Sequence, residues 1–428
     1  MQEPTAAFLP QAISGLGLVF FIFLAWCLSS NRGKIDWRLV RASLILQLVL
    51  AVTILWTTPG YWVFETLGAM FNTVIEFVNV GSEFVFSVHS KPGELNFPPS
   101  DLLVRAFAFG VMPTVIFFSS LMAVLYHLGI MQMVTGALAY LMQKTLRTSG
   151  AESLAVAANV FIGQTEAPLV VRPYLAGMTR SEMHALMVAG FSTVSGGLLV
   201  VYVGMGVDAV HLLTASVISA PASLLVAKII VPETETPETN SATTAQVTMK
   251  AANTIEAAAS GASEGMKLAI NIVAMLIAFL GLIAMSDAIV QWCGTWFGFV
   301  GENEWTLAKT LGYGFSPIAW MMGIPAAECL NSGQLLGLKI FANEFIAYER
   351  LGSWMQNENQ FSTRTAVIMT YALSGFSNFA SIGIQIGGIG SLVPERRGEL
   401  ATFGLRAMLG GAITCCMTGC VAGLLTTV

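Results

Sequence analysis

The chain has 428 residues, 55% of them hydrophobic and 11% charged, with a formal net charge of −5 and a mean hydropathy of +0.71. Soluble domains carry about 25% charged residues, so an ordinary soluble domain is excluded, and the net negative charge argues against a nucleic-acid polymer as partner. The bilayer has to be treated as the solvent of this chain.

Charge-free runs long enough to span occur at 4–31, 42–64, 106–126, 185–207, 268–286, 365–393 and 407–428, and a shorter one lies at 209–227. A spanning helix needs roughly 17–25 apolar residues, which predicts eight spans. The first run is no cleaved signal, because no basic residue precedes it while Arg32, Lys34, Arg38 and Arg41 follow it. Those four charges put the first loop in the cytoplasm and the N-terminus outside. The segment after the second span is acidic, with Glu65, Glu76, Glu83, Glu94 and Asp101, and reads as outside, carrying an outer helix. The third span returns inward to Lys144 and Arg147.

Residues 153–171 contain the sequence GQTEAP at 163–168. They fit either a single crossing or a re-entrant hairpin. The hairpin keeps Lys144, Arg147, Arg172 and Arg180 all inside, and Pro168 disturbs a continuous helix there, so the charges and the proline favour it. Irregular backbone at that depth is tolerated where protein or water surrounds it.

The fourth span (185–207) then leads out to Asp208, and the fifth (209–231) back to Lys228. Residues 232–266 read as a polar cytoplasmic linker, from the sequence PETETPETNSATTAQ at 232–246. The sixth span leaves from Lys267. Residues 303–323 read as a helix near the outer surface, and 326–358 as a second hairpin, entering from outside. The seventh span (365–393) ends at the basic PERR, 394–397, and the eighth ends outside. The expected organisation is therefore 1–100 as a scaffold of two spans and an outer helix, 101–231 as a first repeat, 232–266 as the linker and 267–428 as a second repeat.

The repeat rests on GFST at 190–193 against GFSN at 375–378, with Glu166 six residues before Arg172 and Glu344 six before Arg350. Hairpins of opposite sense make this an inverted repeat, a plan common in secondary transporters. The fourth and seventh spans are rich in Gly, Ser, Thr and Asn and are expected to be broken; close packing through small residues is the bland alternative. The fold class is an all-α polytopic membrane protein with eight transmembrane helices, two opposed re-entrant hairpins and broken fourth and seventh spans.

A carboxylate at the bilayer centre costs ~2.5–3.5 kcal/mol on insertion scales, which makes Glu166 and Glu344 functional candidates. Structural ion pairs with Arg172 and Arg350 are the alternative. Gln164 and Thr165 add donors and acceptors for a polar ligand, and Asn378 and Ser381 share a helical face. Asn159 and Thr193, with free carbonyls at a helix break, offer neutral oxygens suited to sodium. The six cysteines show no metal or redox spacing, and Cys415, Cys416 and Cys420 lie in an apolar run. His127 and His184 have no evident catalytic partner, so no catalytic residue and no enzyme activity are expected. A channel would need a continuous polar stripe, whereas polarity here gathers at two hairpins and two broken helices.

The stretches NVFIGQTEAPLVVRPYL (159–175), NEFIAYERL (343–351) and YALSGFSNFASIGIQIGGIGSLVPERR (371–397) closely resemble the concentrative nucleoside transporter family. The resemblance covers roughly residues 100–428; the first hundred match only in hydropathy. It implies a homotrimer in the cell (inner) membrane that takes up nucleosides such as uridine or adenosine, driven by sodium or protons. Carried over by motif position, Gln164, Thr165 and Glu166 would meet the nucleobase, with Leu198 beside it. Glu344, Asn378 and Ser381 would hold the ribose, near Phe376. Sodium would bind the Asn159 side chain, the Ile162 carbonyl, Thr193 and the Val194 carbonyl. The family commonly carries serine at the position of Thr193; threonine keeps the hydroxyl. Proton-coupled relatives carry QSEN at the hairpin tip and lack the asparagine, so this chain resembles the sodium-coupled branch. In the alternative a proton on Glu166 or Glu344 takes the ion's place. No cofactor is implied beyond the co-transported sodium ion.

Overall fold

The computed structural model describes residues 4–86, 89–91, 94–95, 107–239, 251–296, 298, 305–355 and 361–426. Among the described residues the chain is helical apart from one small antiparallel pair, β1 (His89–Lys91) and β2 (Glu94–Leu95).

The first half begins with α1 (Pro4–Cys27) and α2 (Trp37–Trp56). Asp36 caps α2 by accepting from the backbone N–H groups of Arg38 and Leu39. The second span was expected at 42–64, but the helix stops at Trp56 and α3 runs Thr58–Phe86. Pro59 explains the split, since proline fits the first turn of a helix and not its interior. Then come α4 (Phe107–His127) and α5 (Ile130–Leu146), bent by 76° at Gly129. The first hairpin region holds α6 (Gly150–Ile162) and the short α7 (Ala167–Val170). It is followed by α8 (Arg180–Ser192), α9 (Gly196–Gly204) and α10 (Ala209–Ile230).

The second half starts with α11, a single helix Thr254–Trp296. Residues 254–266, expected in the linker, are thus helical. Residues 232–239 also depart from a free linker: the backbone N–H of Gly150 donates to the Thr239 carbonyl at 3.2 Å and that of Ala151 to Thr239 Oγ1 at 3.1 Å. The rest of the expected linker, 240–250, lies outside the described residues, as do 303–304, 356–358 and Asp101. Next are α12 (Leu307–Met321), α13 (Cys329–Phe341), α14 (Glu344–Met355), α15 (Thr363–Leu373), α16 (Phe379–Leu392) and α17 (Arg397–Leu425).

By length and apolarity six helices among the described residues can cross a membrane, or seven if the bent α4–α5 pair is one span. The segment 365–393 falls outside that count because it is interrupted, leaving α15 and α16 with 11 and 14 residues. In α10 89% of the apolar window is buried, against 11% in α11. The first is therefore a central helix, and the second presents Ile277, Leu280, Met285 and Trp292 outward, the pattern of a surface solvated by lipid.

Two interruptions meet in the centre. Between α8 and α9 the chain is extended at Thr193 (φ −128°, ψ 160°), and before α16 it is extended at Asn378 (φ −135°, ψ 162°). A Cβ on Gly375 would lie 2.7 Å from the Phe191 carbonyl oxygen, so only glycine lets the two breaks touch. Cys415 of α17 faces both, with Sγ 3.3 Å from the Ser374 carbonyl and 3.8 Å from that of Ser192. It is an inert packing residue there.

The start of α6 is tied to α8, and the start of α13 to α15. Ser149, the N-cap of α6, donates its hydroxyl to Glu182 in the first turn of α8. In the other half Glu328, at the N-cap of α13, accepts the backbone N–H of Ser362, the N-cap of α15, at 3.2 Å and its hydroxyl at 3.0 Å. Buried Lys228 of α10 joins the first cluster, 2.7 Å from Glu152 and 3.1 Å from Glu233.

Candidate functional site

The α6–α7 tip can turn where it does because Gly163 adopts φ 84° and ψ 176°, a region essentially reserved for glycine. A Cβ there would also lie 2.7 Å from the Ser195 side chain. Gly190 allows a second close approach: its Cβ would sit 2.9 Å from that of Gln164. Tip residues 163–166 are therefore held against the α8–α9 break. The α13–α14 tip is organised by Asn343, whose Oδ1 accepts the backbone N–H of Ile346 at 3.0 Å.

Between the two tips lies a cavity of about 350 Å³. Gln164, Thr165, Glu166, Leu198, Glu344, Phe376, Asn378 and Ser381 all line it, so four separate stretches of chain bring the eight expected contact residues to one place. Its walls are mostly apolar with few polar groups, and its size is that of a small-molecule site.

One side of the cavity is an amide network. Gln164 Nε2 donates to Ser381 Oγ at 3.2 Å, and Gln385 Nε2 donates to Gln164 Oε1 at 3.0 Å and to the Met187 carbonyl at 3.2 Å. The other side is built on Glu344, which is 4% exposed. Its Oε1 accepts from Tyr202 Oη at 3.2 Å and its Oε2 from Asn378 Nδ2 at 3.0 Å. Asn378 in turn caps α16, its Oδ1 accepting from the Ser381 backbone N–H at 2.8 Å. Tyr202 stacks on Tyr348 with ring centroids 4.2 Å apart, and the Tyr348 hydroxyl donates to the Thr370 carbonyl at 2.6 Å. Five residues from Glu344, buried Lys339 donates to the Ala372 carbonyl at 2.8 Å.

The ion-pair alternative fails: among the described residues neither Glu166 with Arg172 nor Glu344 with Arg350 is within 4.0 Å. Arg350 lies over the Trp354 ring at 5.7 Å instead. Glu166 is half-buried and lines the cavity without a capping hydrogen bond.

The expected cation ligands Asn159, Ile162, Thr193 and Val194 are all buried. Asn159 Nδ2 donates to the Ala155 carbonyl at 3.0 Å, while its Oδ1 has no hydrogen-bond partner among the described residues. Thr193 Oγ1 donates to the Ala189 carbonyl at 2.9 Å, leaving its lone pairs as acceptors. The end of α6 lies on the start of α9, where a Cβ on Gly196 would be 2.9 Å from the Phe161 carbonyl oxygen. An orphaned buried acceptor of this kind costs about 1–3 kcal/mol, and a cation would satisfy it.

Some residues at or beside the cavity were not assigned a role from the sequence. Gln385 stands four residues after Ser381 and seven after Asn378, one helical face that could have been read. Tyr202 follows Leu198 by four. Leu268, Asn271, Ile272 and Met275 of α11 close the cavity; Asn271 is a polar interruption of an apolar run and was the available signal.

Three family profiles match: "Na+ dependent nucleoside transporter N-terminus" over residues 16–88, "Nucleoside recognition" over 108–209 and "Na+ dependent nucleoside transporter C-terminus" over 211–423. An uncharacterized transporter of Haemophilus influenzae is 42% identical, over 96% of each chain. Solute carrier family 28 member 3 of Eptatretus stoutii is 40% identical over 97% of this chain, and Sodium/nucleoside cotransporter 1 of Rattus norvegicus likewise. The chain spans 60% and 64% of the length of those two animal proteins. The structure of CNTnw in an inward-facing substrate-bound state is 39% identical and superposes with a TM-score of 0.87 over 96% of this chain and 97% of that one. A CNTnw variant in an outward-facing state, at 38% identity, gives 0.87 over 97% of each. These relatives are transporters and not enzymes. The chain belongs to the concentrative nucleoside transporter family, as a multi-pass, predominantly helical membrane protein.

Proposed function

We propose that the protein is a symporter that takes up nucleosides together with sodium, by alternating access of a transport domain carrying both hairpins. The observation that carries this reading is the single cavity shared by Gln164, Thr165, Glu166, Leu198, Glu344, Phe376, Asn378 and Ser381. Its two sides suit the two halves of a nucleoside. The Gln164–Gln385 amides, with Thr165 and Glu166, offer donors and acceptors to a base edge. Glu344 and Asn378 offer a carboxylate and an amide to ribose hydroxyls.

Sodium enters the reading through Asn159. With the Ile162 and Val194 carbonyls and the Thr193 hydroxyl, its unpartnered Oδ1 makes a set of neutral oxygens next to the α6–α7 tip. Neutral oxygens at a helix break suit an alkali cation. An ion bound there orders the tip that meets the base, and linkage requires the nucleoside to tighten the ion in return. Glu344 has the Lys339 ammonium in its vicinity, whereas none of the described residues lining the two cavities at Glu166 is cationic.

The finer architecture belongs to the same proposal. The segments α6–α7 and α13–α14 are two re-entrant hairpins of opposite sense, α8–α9 and α15–α16 are the broken fourth and seventh spans, and eight spans result. The matching ties from Ser149 to Glu182 and from Ser362 to Glu328 support the inverted repeat. The four expected segments, a homotrimer in the cell (inner) membrane and an external N-terminus complete the reading, on family resemblance and on loop charge. Counterflow of labelled uridine and adenosine in proteoliposomes, with sodium and pH varied independently, tests it. Uptake that follows sodium and not pH is expected; uptake indifferent to sodium would reject the coupling.

A further inference from the structure

A second cavity of about 180 Å³ adjoins the first and shares Ile162, Glu166, Ser195 and Leu268 with it. Its far side is formed by α4, through Phe118, Ser119, Met122 and Tyr126, and by Glu264 of α11. Glu264 and Leu268 continue the stripe whose members Asn271 and Met275 face the first cavity. That stripe follows helical spacing, and Gly261 and Gly265 press the same helix onto α4. Their Cβ atoms would meet Ala123 at 2.6 Å and Ile116 at 2.8 Å. The position of Glu264 at the cavity is thus fixed by packing.

The chemistry of this cavity is one-sided. Two carboxylates, Glu166 and Glu264, come from different elements, and neither makes an ion pair among the described residues. Among the described residues no lysine or arginine lines the space; Lys267, three residues along α11, is exposed and lines neither cavity. An independent sign comes from Tyr126. It is 2% exposed, lines the same cavity, and its hydroxyl has no hydrogen-bond partner among the described residues. Ser195 heads α9 without capping it, so its hydroxyl is also available. Glu166 is half-buried and Glu264 exposed, and like charges lining one cavity beside an orphaned buried hydroxyl call for a positive ligand.

We propose that this second cavity is a cation site, separate from the one at Asn159, in which Glu166 and Glu264 hold a hydrated alkali cation with the hydroxyls of Tyr126, Ser119 and Ser195 around it. The volume fits a hydrated ion, since a water takes roughly 30 Å³ and the cavity is several times larger. A divalent ion is disfavoured, because it takes six or more close oxygen ligands or near-ideal octahedral geometry, and the described residues hold no tight cluster of three acidic, His or Cys ligands. Because Glu166 belongs to both cavities, the ion would act on the same carboxylate that faces the solute. The inference goes beyond the proposed function and needs only the geometry of the second cavity.

The test is equilibrium binding of radioactive sodium to the purified full-length protein in detergent, without nucleoside, at fixed pH. Wild type is expected to bind two ions per chain. Glu264→Gln should lose one of them and Asn159→Leu the other, while Glu264→Asp regains the lost ion with weaker affinity. Tyr126→Phe should weaken the second ion by about tenfold, the effect of one lost hydrogen bond to a charged group. Glu264→Gln with unchanged stoichiometry and affinity, in protein that elutes as wild type on gel filtration, would overturn the site. Displacement of the Glu264-dependent ion by equimolar magnesium would overturn its assignment as an alkali cation. A single ion lost on Glu264→Gln and kept on Asn159→Leu would uphold this site and reject the Asn159 position, so the two readings fail separately.

Discussion

Asn378 donates its side-chain amide to Glu344 at 3.0 Å while its carbonyl oxygen caps α16 at 2.8 Å. One residue therefore sets both where α16 starts and which way the Glu344 carboxylate points. Glu344 receives two neutral donors and makes no ion pair among the described residues. Glu344→Gln would present an amide N–H to one of those donors. Nucleoside affinity is expected to fall at least about tenfold, the scale of one hydrogen bond to a charged group, with sodium binding retained. Equilibrium binding of labelled uridine to the purified variant checks this; unchanged affinity removes Glu344 from the site.

Gln385 acts through Gln164, to which it donates at 3.0 Å. Gln385→Leu leaves the Gln164 carbonyl oxygen without that donor and frees its amide to rotate. Affinity for uridine should drop by about tenfold, while the preference for ribose over 2′-deoxyribose stays as in wild type. A change in the sugar preference instead would place Gln385 on the wrong side of the cavity.

The contact between the two breaks depends on Gly375. Gly375→Ala puts a Cβ 2.7 Å from the Phe191 carbonyl oxygen and as close to Cys415 Sγ. Overpacking of this kind costs about 1–3 kcal/mol and should lower the thermal midpoint. Gly383→Ala, which meets nothing within 4 Å, is the control and should hold or raise it. Thermal unfolding followed by intrinsic fluorescence separates the two.

Lys228 is 5% exposed and Glu152, 2.7 Å away, is 2% exposed. Lys228→Met leaves a buried carboxylate without its partner, a loss of about 3–5 kcal/mol. The double variant Lys228→Met/Glu152→Gln should recover much of that. A single variant as stable as wild type in the same melts would mean that the cluster does not hold the hairpin base.

Much of the fold and of the site is legible in the residues themselves. Gly163, Pro168 and the GFST and GFSN motifs announce breaks because glycine and proline change what the backbone can do, and such punctuation is local. Glu166 and Glu344 stand out because a carboxylate is expensive in an apolar run. The helix boundary at Pro59 is legible in principle but is overridden by hydropathy. The α11 stripe is only partly legible: Asn271 interrupts the apolar run, but the apolar members look the same whether they meet lipid or close a cavity. The tie between Thr239 and the start of α6 is hidden for a similar reason, since a polar segment rich in Glu, Thr and Pro carries no sign of what it lies against.

The central claim is that sodium and nucleoside bind as a linked pair, and it is tested most directly by uridine affinity measured across a sodium titration. Choline should replace sodium at constant ionic strength, with wild type and Asn159→Leu in parallel. The account predicts that sodium tightens uridine binding, that uridine tightens sodium binding by the same factor, and that Asn159→Leu abolishes both effects. Uridine affinity that is equal in sodium and in choline would contradict it.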